Sequence, residues 1–175
     1  MTRVLFVIPP TNFRDEELLV PKAHFEYLGY DVTVASTKKG ECYGVLGGRE
    51  MAQLTLGEVN VADYNAVIFV GGSGTPLLRK EEKALQIIRD AVAKGKVFGA
   101  ICWAVTTAAK AGVLKGKKVT GWVGQDEEFG MTTTAYIEQQ GAKFVHDLVI
   151  VDGKIVTATG ASAAQKFAEE IAKLL

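Results

Sequence analysis

Apolar residues recur along this chain with two alternating periods. Short runs rich in β-branched residues, at positions 4–9, 32–35, 66–70 and 97–101, read as strands, and so does a later pair at 148–151 and 155–157. Positions 4–8, 66–70 and 97–101 are apolar almost throughout. Strands of that kind are covered on both faces, which predicts a parallel sheet between helical layers. Helical spacing fills the gaps. Residues 15–28 carry Leu18, Leu19, Phe25 and Leu28 at that spacing and open on Asp15, Glu16 and Glu17, the charge a helix N-terminus favours. Pro21 lies inside this segment and predicts a delayed or bent helix. Residues 81–94 repeat Leu85, Ile88 and Val92, a short helix follows Cys102 and stops at Gly112, and residues 131–140 end at Gly141. Residues 162–174 read as a closing amphipathic helix with Ser162 as its N-cap.

Two segments break the alternation. Residues 40–56 mix glycines with polar and apolar residues and predict a small hairpin excursion. The turn Val151-Asp152-Gly153-Lys154 predicts a tight hairpin, and with it antiparallel, peripheral C-terminal strands. The βαβ series as a whole predicts one doubly wound α/β domain over residues 1–175.

Composition narrows the function. Lys plus Arg is 20 and Asp plus Glu is 20, so the formal charge is zero. That argues against a nucleic-acid partner held through a basic surface. No apolar run approaches the roughly 18 residues of a membrane span, and the N-terminus reads as a first strand rather than a signal peptide. Two cysteines, Cys42 and Cys102, with two histidines, His24 and His146, supply neither a disulfide framework nor a close metal-ligand pair. A cytoplasmic protein with no metal and no cofactor is the expectation.

Ligands of open α/β sheets bind beyond the carboxyl ends of the strands. Three chemistry-bearing segments follow the buried runs: Asp15-Glu16-Glu17 after the first, Gly71-Gly72 after the third and Cys102-Trp103 after the fourth. Cys102 sits between a strand and a helix, flanked two positions away by Ala100 and Ala104. That spacing resembles a nucleophile elbow, whose tight turn needs small neighbours. A thiol at a helix N-terminus also gains thiolate character. The alternative is a buried packing cysteine. Gly71 and Gly72 would let backbone N–H groups approach an oxyanion, or would simply form a turn. One of the three acids would turn toward the thiol, the others serving the helix dipole, and periodicity does not select among them. Trp122 falls on the same edge, either lining a pocket or packing in the core.

This constellation resembles the ThiJ/PfpI superfamily, which includes PfpI-type intracellular peptidases and the parkinsonism-associated deglycase. The resemblance rests on Arg3-Val4-Leu5-Phe6-Val7, on Phe13-Arg14-Asp15-Glu16-Glu17 running on to Pro21, on Asp63-Tyr64-Asn65 running on to Gly71-Gly72, on Gly99-Ala100-Ile101-Cys102 and on Ala111-Gly112-Val113-Leu114. It implies a flavodoxin-like fold and a homodimer or larger assembly. It implies Cys102 as nucleophile, Glu17 as the acid bonded to it, and the N–H groups of Gly72 and Trp103 as an oxyanion site. For the peptidase branch it implies Glu82 as an acid supplied by a neighbouring subunit.

The chain departs from that pattern where histidine is usual. Trp103 follows the cysteine, and Gly121-Trp122-Val123-Gly124 holds no histidine either. The Arg usual near the end of the last strand is also absent from Thr157-Ala158-Thr159-Gly160. Amide hydrolysis needs an acid to protonate the leaving amine. Addition of a thiolate to a small reactive carbonyl needs none. The leading expectation is therefore a glyoxalase or deglycase type of enzyme. A PfpI-type peptidase using Glu82 of a partner chain, and a cysteine redox sensor or chaperone, are the other two.

Overall fold

The computed structural model describes residues 1–175. In chain order the first half contains β1 (Arg3–Val7), β2 (Thr11–Phe13), α1 (Asp15–Tyr27), β3 (Asp31–Ser36), β4 (Gly40–Gly44), β5 (Arg49–Ala52), β6 (Leu54–Thr55) and β7 (Ala66–Phe69). Then come α2 (Thr75–Arg79), α3 (Glu82–Ala93), β8 (Val97–Ile101), α4 (Ala104–Ala111), β9 (Lys118–Val119), β10 (Gln125–Asp126) and β11 (Met131–Thr132). The chain closes with α5 (Thr133–Gln139), β12 (Lys143–Phe144), β13 (Val149–Asp152), β14 (Ile155–Ala158) and α6 (Ala164–Ala172).

Seven strands form the central sheet in the order β13-β14-β8-β7-β1-β3-β6. Every neighbouring pair is parallel except β13 with β14. The register sets Val4 beside Val32 and Ala66, Ile68 beside Gly99, and Ala158 beside Ile101. The five long parallel strands β1, β3, β7, β8 and β14 thus run in the flavodoxin-like order, with the switch in winding direction between β1 and β7. The crevice that such a switch opens lies at the carboxyl ends, where the three chemistry-bearing segments emerge.

Alternation along the strands divides the core in two. Val4, Phe6, Ile8, Ile68 and Ile101 meet Leu18 and Phe25 of α1 and Phe167 and Ile171 of α6. Leu5, Val7, Val67, Phe69 and Phe98 meet Leu85 and Ile88 of α3 and Val105 of α4 on the other face. Both faces of the central strands are covered, which is why those runs carry no polar residue. Burying each large apolar side chain contributes about 1.5–3 kcal/mol. Gly99 is required by this packing. A Cβ there would lie 2.9 Å from Phe167 and Ile171, so bare backbone in β8 is what admits α6 so close.

Some sequence expectations are corrected. The C-terminal strands are an antiparallel pair, but only β13 is peripheral; β14 lies inside the sheet, parallel to β8, with all four residues buried. The hairpin turn fixes the first relation, and the second fits the burial of Ile155, Val156 and Ala158, with the hydroxyl of Thr157 accepting from Thr120 N at 2.9 Å. Residues 131–140 divide: Met131 and Thr132 pair with β10, and the helix begins after Thr132, whose hydroxyl accepts from Ala135 N at 3.1 Å. Ser162 does not cap the last helix. A 3₁₀ turn (Ala161–Ala163) intervenes and α6 starts at Ala164. α1 runs through Pro21 without delay. The predicted excursion is present as the β4–β5 hairpin, and β2 adds to it in parallel, a pairing the pattern of residues did not foretell.

Candidate functional site

Cys102 occupies the turn between β8 and α4. Its φ is +62°, one of two left-handed non-glycine residues in the protein. A side chain in that region costs about 1–2 kcal/mol, so the neighbouring structure must hold it there. It does so through the main chain. Cys102 N donates to Ala158 O of β14 at 2.8 Å, and Cys102 O accepts from Val105 N and Trp122 N at 3.3 Å each. The thiol is thereby presented at the sheet edge, half-buried, in a cavity of about 450 Å³.

Glu17 comes from the first turn of α1 and is completely buried. Pro21, four residues on, has no N–H to give the Glu17 carbonyl. Of the side-chain oxygens, Oε2 accepts from Gly71 N at 2.9 Å, and Oε1 is buried with no conventional hydrogen-bond partner. The Cys102 thiol is the polar group left for it to meet. Burial pushes the Glu17 carboxyl up to about 8, against the opposing pull of the Cys102 thiol and the Gly71 N–H. The same burial, and then the Glu17 charge, raise the Cys102 thiol, while the N–H groups of Trp103 and Gly72 favour its thiolate. Two acids in contact, one of them fully buried, cannot both ionise cheaply, so they titrate as a pair. Gly71 and Gly72 close the contact. Gly72 is left-handed (φ +107°), and a Cβ on Gly71 would crowd Glu17 Oε2 and Trp103 N, each at 2.9 Å.

The remaining acids are accounted for differently. Asp15 does not serve the helix dipole alone: its carboxylate accepts from Leu46 N (2.9 Å) and Gly48 N (2.7 Å), tying down the turn of the β4–β5 hairpin. That turn carries Val45 to the cavity wall. Glu16 pairs with Arg14, whose Nε lies 2.8 Å from Glu16 Oε2. Glu82 is exposed on α3, paired with Arg89 at 2.6 Å, and does not line the cavity of its own chain. Trp103 and Trp122 both line it, with ring centroids 4.9 Å apart. Neither histidine reaches it, and Cys42 is wholly buried in the core beneath α1.

Several cavity residues were not expected at the site from the sequence. Arg14, Ser73 and the Gly160-Ala161-Ser162 turn line the cavity because β2, β7 and β14 end at one edge. A buried ion pair between Arg79 and Asp126 stands directly behind Trp103 and was equally unforeseen. No group of three His, Cys, Asp or Glu side chains is placed to hold a metal ion, and no helix is long and apolar enough to cross a membrane.

The chain and its fold are similar to those of known proteins. The chain is 38% identical over 174 residues to an uncharacterized protein of Methanocaldococcus jannaschii, covering 99% of this chain and 82% of that one. It is 30% identical over 173 residues to the deglycase PfpI of Pyrococcus furiosus, covering 99% of each. Among solved structures, a ThiJ/PfpI domain protein from Brachyspira murdochii superposes with a TM-score of 0.90 at 29% identity, over 98% of this chain and 95% of that one. Drosophila melanogaster DJ-1beta shares the fold at a TM-score of 0.85 and 24% identity, over 100% of this chain and 91% of that one. A family model matches residues 2–174, nearly the whole of the fold described above: this chain belongs to the DJ-1/PfpI family.

Proposed function

We propose that this protein is a cysteine-dependent enzyme acting on small reactive carbonyls, of the deglycase or glyoxalase type. The observation that carries the reading is the pairing of a half-buried thiol at Cys102 with a fully buried carboxyl at Glu17, in a cavity that no histidine enters. The similarity to relatives named deglycases supports the same class.

The sulfur of Cys102 adds to the aldehyde carbon of a 2-oxoaldehyde, forming a C–S bond while the carbonyl π-pair moves onto oxygen. The N–H groups of Gly72 and Trp103 face the developing alkoxide, and Glu17, protonated below about pH 8, gives the alkoxide its proton and takes the S–H proton of Cys102 in exchange. Glu17 then gives that proton to the neighbouring ketone oxygen and removes the hydrogen of the former aldehyde carbon, which leaves an enediol. Reprotonation of the adjacent carbon yields a thioester of a 2-hydroxy acid. One carbon is oxidised and its neighbour reduced, so the step needs no external oxidant. Water cleaves the thioester, releasing the hydroxy acid and restoring the thiol. A glycated amine enters the same route when the thiol displaces the amine from a hemiaminal carbon and Glu17 protonates the departing nitrogen. This chemistry suits a site with one proton to move and no imidazole.

The test is lactate formation from methylglyoxal. Wild type forms lactate, and Cys102→Ala and Glu17→Gln each lose it. Turnover retained in Cys102→Ala would sink the scheme. No lactate from wild type, with Cys102 alone gaining two oxygens at low peroxide, would favour a redox sensor instead.

A further inference from the structure

Arg79 is the largest side chain in the protein that is wholly shut from solvent. Its Nη1 donates to Asp126 Oδ2 (2.7 Å) and Thr106 Oγ1 (2.8 Å), and its Nη2 to Asp126 Oδ1 (3.2 Å) and Glu128 Oε2 (2.6 Å). The guanidinium lies 4.1 Å from the centroid of the Phe129 ring. A buried ion pair is a weak source of stability, since desolvation offsets much of the attraction and well-packed apolar residues often do as well. The arrangement has a more specific geometry than stability requires, because its contacts converge on one residue beside the nucleophile. Asp126 Oδ2 also accepts from Trp103 Nε1 at 2.8 Å. Thr106 Oγ1, the other Arg79 acceptor, donates to the Trp103 carbonyl at 2.7 Å. One guanidinium thus holds Trp103 at both ends, the indole through Asp126 and the main chain through Thr106. None of these three residues lines the cavity.

We propose that Arg79, Asp126 and Thr106 are positioning residues that lock Trp103, keeping its peptide N–H aimed at the sulfur of Cys102 and at the oxygen that develops there, and its indole fixed as a cavity wall. A donor held in place before charge develops stabilises that charge without reorganising. Burial alone would raise the Asp126 carboxyl, but hydrogen bonds from Arg79 and Trp103 outweigh it and hold the group below the usual range, so Asp126 stays ionised at neutral pH. The ionisable groups close to the thiol are Glu17 on α1 and Arg14 just before it. Loosening the clamp therefore reaches the thiol through the Trp103 N–H.

The kinetic consequence rests on the carbonyl reading above; the effect on the thiol does not. Thr106→Val keeps the shape of the side chain and removes both of its hydrogen bonds, while Arg79 retains its two carboxylates. Lactate formation should lose about tenfold in kcat with KM within about twofold, a fraction of the 10²–10³ that follows deletion of a whole donor. The pH midpoint for alkylation of Cys102 by iodoacetamide, read on the Cys102 peptide, should rise. Thr106→Ser should restore both. Trp103→Phe, which keeps the peptide N–H and removes the indole donor, should move both in the same direction. A Thr106→Val protein with the wild-type alkylation midpoint overturns the clamp, and so does a change that Thr106→Ser fails to restore. If wild type forms no lactate but the midpoint moves in Thr106→Val and returns in Thr106→Ser, the clamp stands and the carbonyl reading falls.

Discussion

Glu17 concentrates the tension of this site in a single side chain. A carboxyl with an ordinary value of 4.5 is raised to about 8 by burial. The folded protein then binds that proton more tightly than the unfolded chain does. Its contribution to stability is fully present below about pH 4.5 and is lost as pH rises to about 8. Wild type should therefore fall behind Glu17→Gln in thermal stability across that window, by a few kcal/mol at most, and the difference should level off above it. Melting both proteins at intervals from pH 4 to 9 measures this. A difference independent of pH would mean that Glu17 is ionised throughout. The same substitution that stabilises should abolish turnover, as expected when a group is kept for chemistry rather than for folding.

At the scale of elements, the site is a meeting of loops held by specific ties. The β4–β5 turn is fixed by two N–H groups donating to the buried carboxylate of Asp15. Asp15→Ala leaves both donors without that acceptor and should cost about 1–3 kcal/mol. Because the turn carries Val45 into the cavity wall, KM should rise more than kcat falls; steady-state kinetics beside a melt would separate the two effects. The contact of β8 with α6 is equally strict. Gly99→Val drives a side chain into Phe167 and Ile171 and should destabilise by about 1–3 kcal/mol through overpacking. An unchanged melting temperature would show that α6 shifts freely.

The molecule as a whole has two apolar cores that share one sheet, so it should unfold as a unit. Phe6 is fully buried in the central strand β1, with its ring 6.0 Å from that of Phe25 in α1. Phe6→Ala should cost about 3–5 kcal/mol and lower the melting temperature by roughly 10 °C in a chain of this size. Near-ultraviolet and far-ultraviolet signals should still move together in both proteins. Separate transitions would show that the layers on the two faces melt independently.

Much of this was legible in the chain itself. Short, β-branched runs that are apolar at nearly every position suit strands covered on both faces, so 66–70 and 97–101 pointed to a parallel sheet. A parallel sheet in turn assigned the ligand edge before any contact was known. Cys102 and Gly71-Gly72 stood out because the turn after a buried strand admits few residue types. Other features depended on contacts distant in sequence. Asp15, Glu16 and Glu17 are adjacent acids with the same local preferences. Only the approach of the hairpin turn, Arg14 and Gly71 gives one to structure, one to a surface pair and one to the thiol. Arg79, Asp126 and Trp103 are scattered along the chain, and nothing local distinguishes a buried arginine from a solvated one. Periodicity records which face of an element is apolar. Which polar groups meet beyond the strand ends is decided by how the elements cross, and so belongs to the tertiary structure alone.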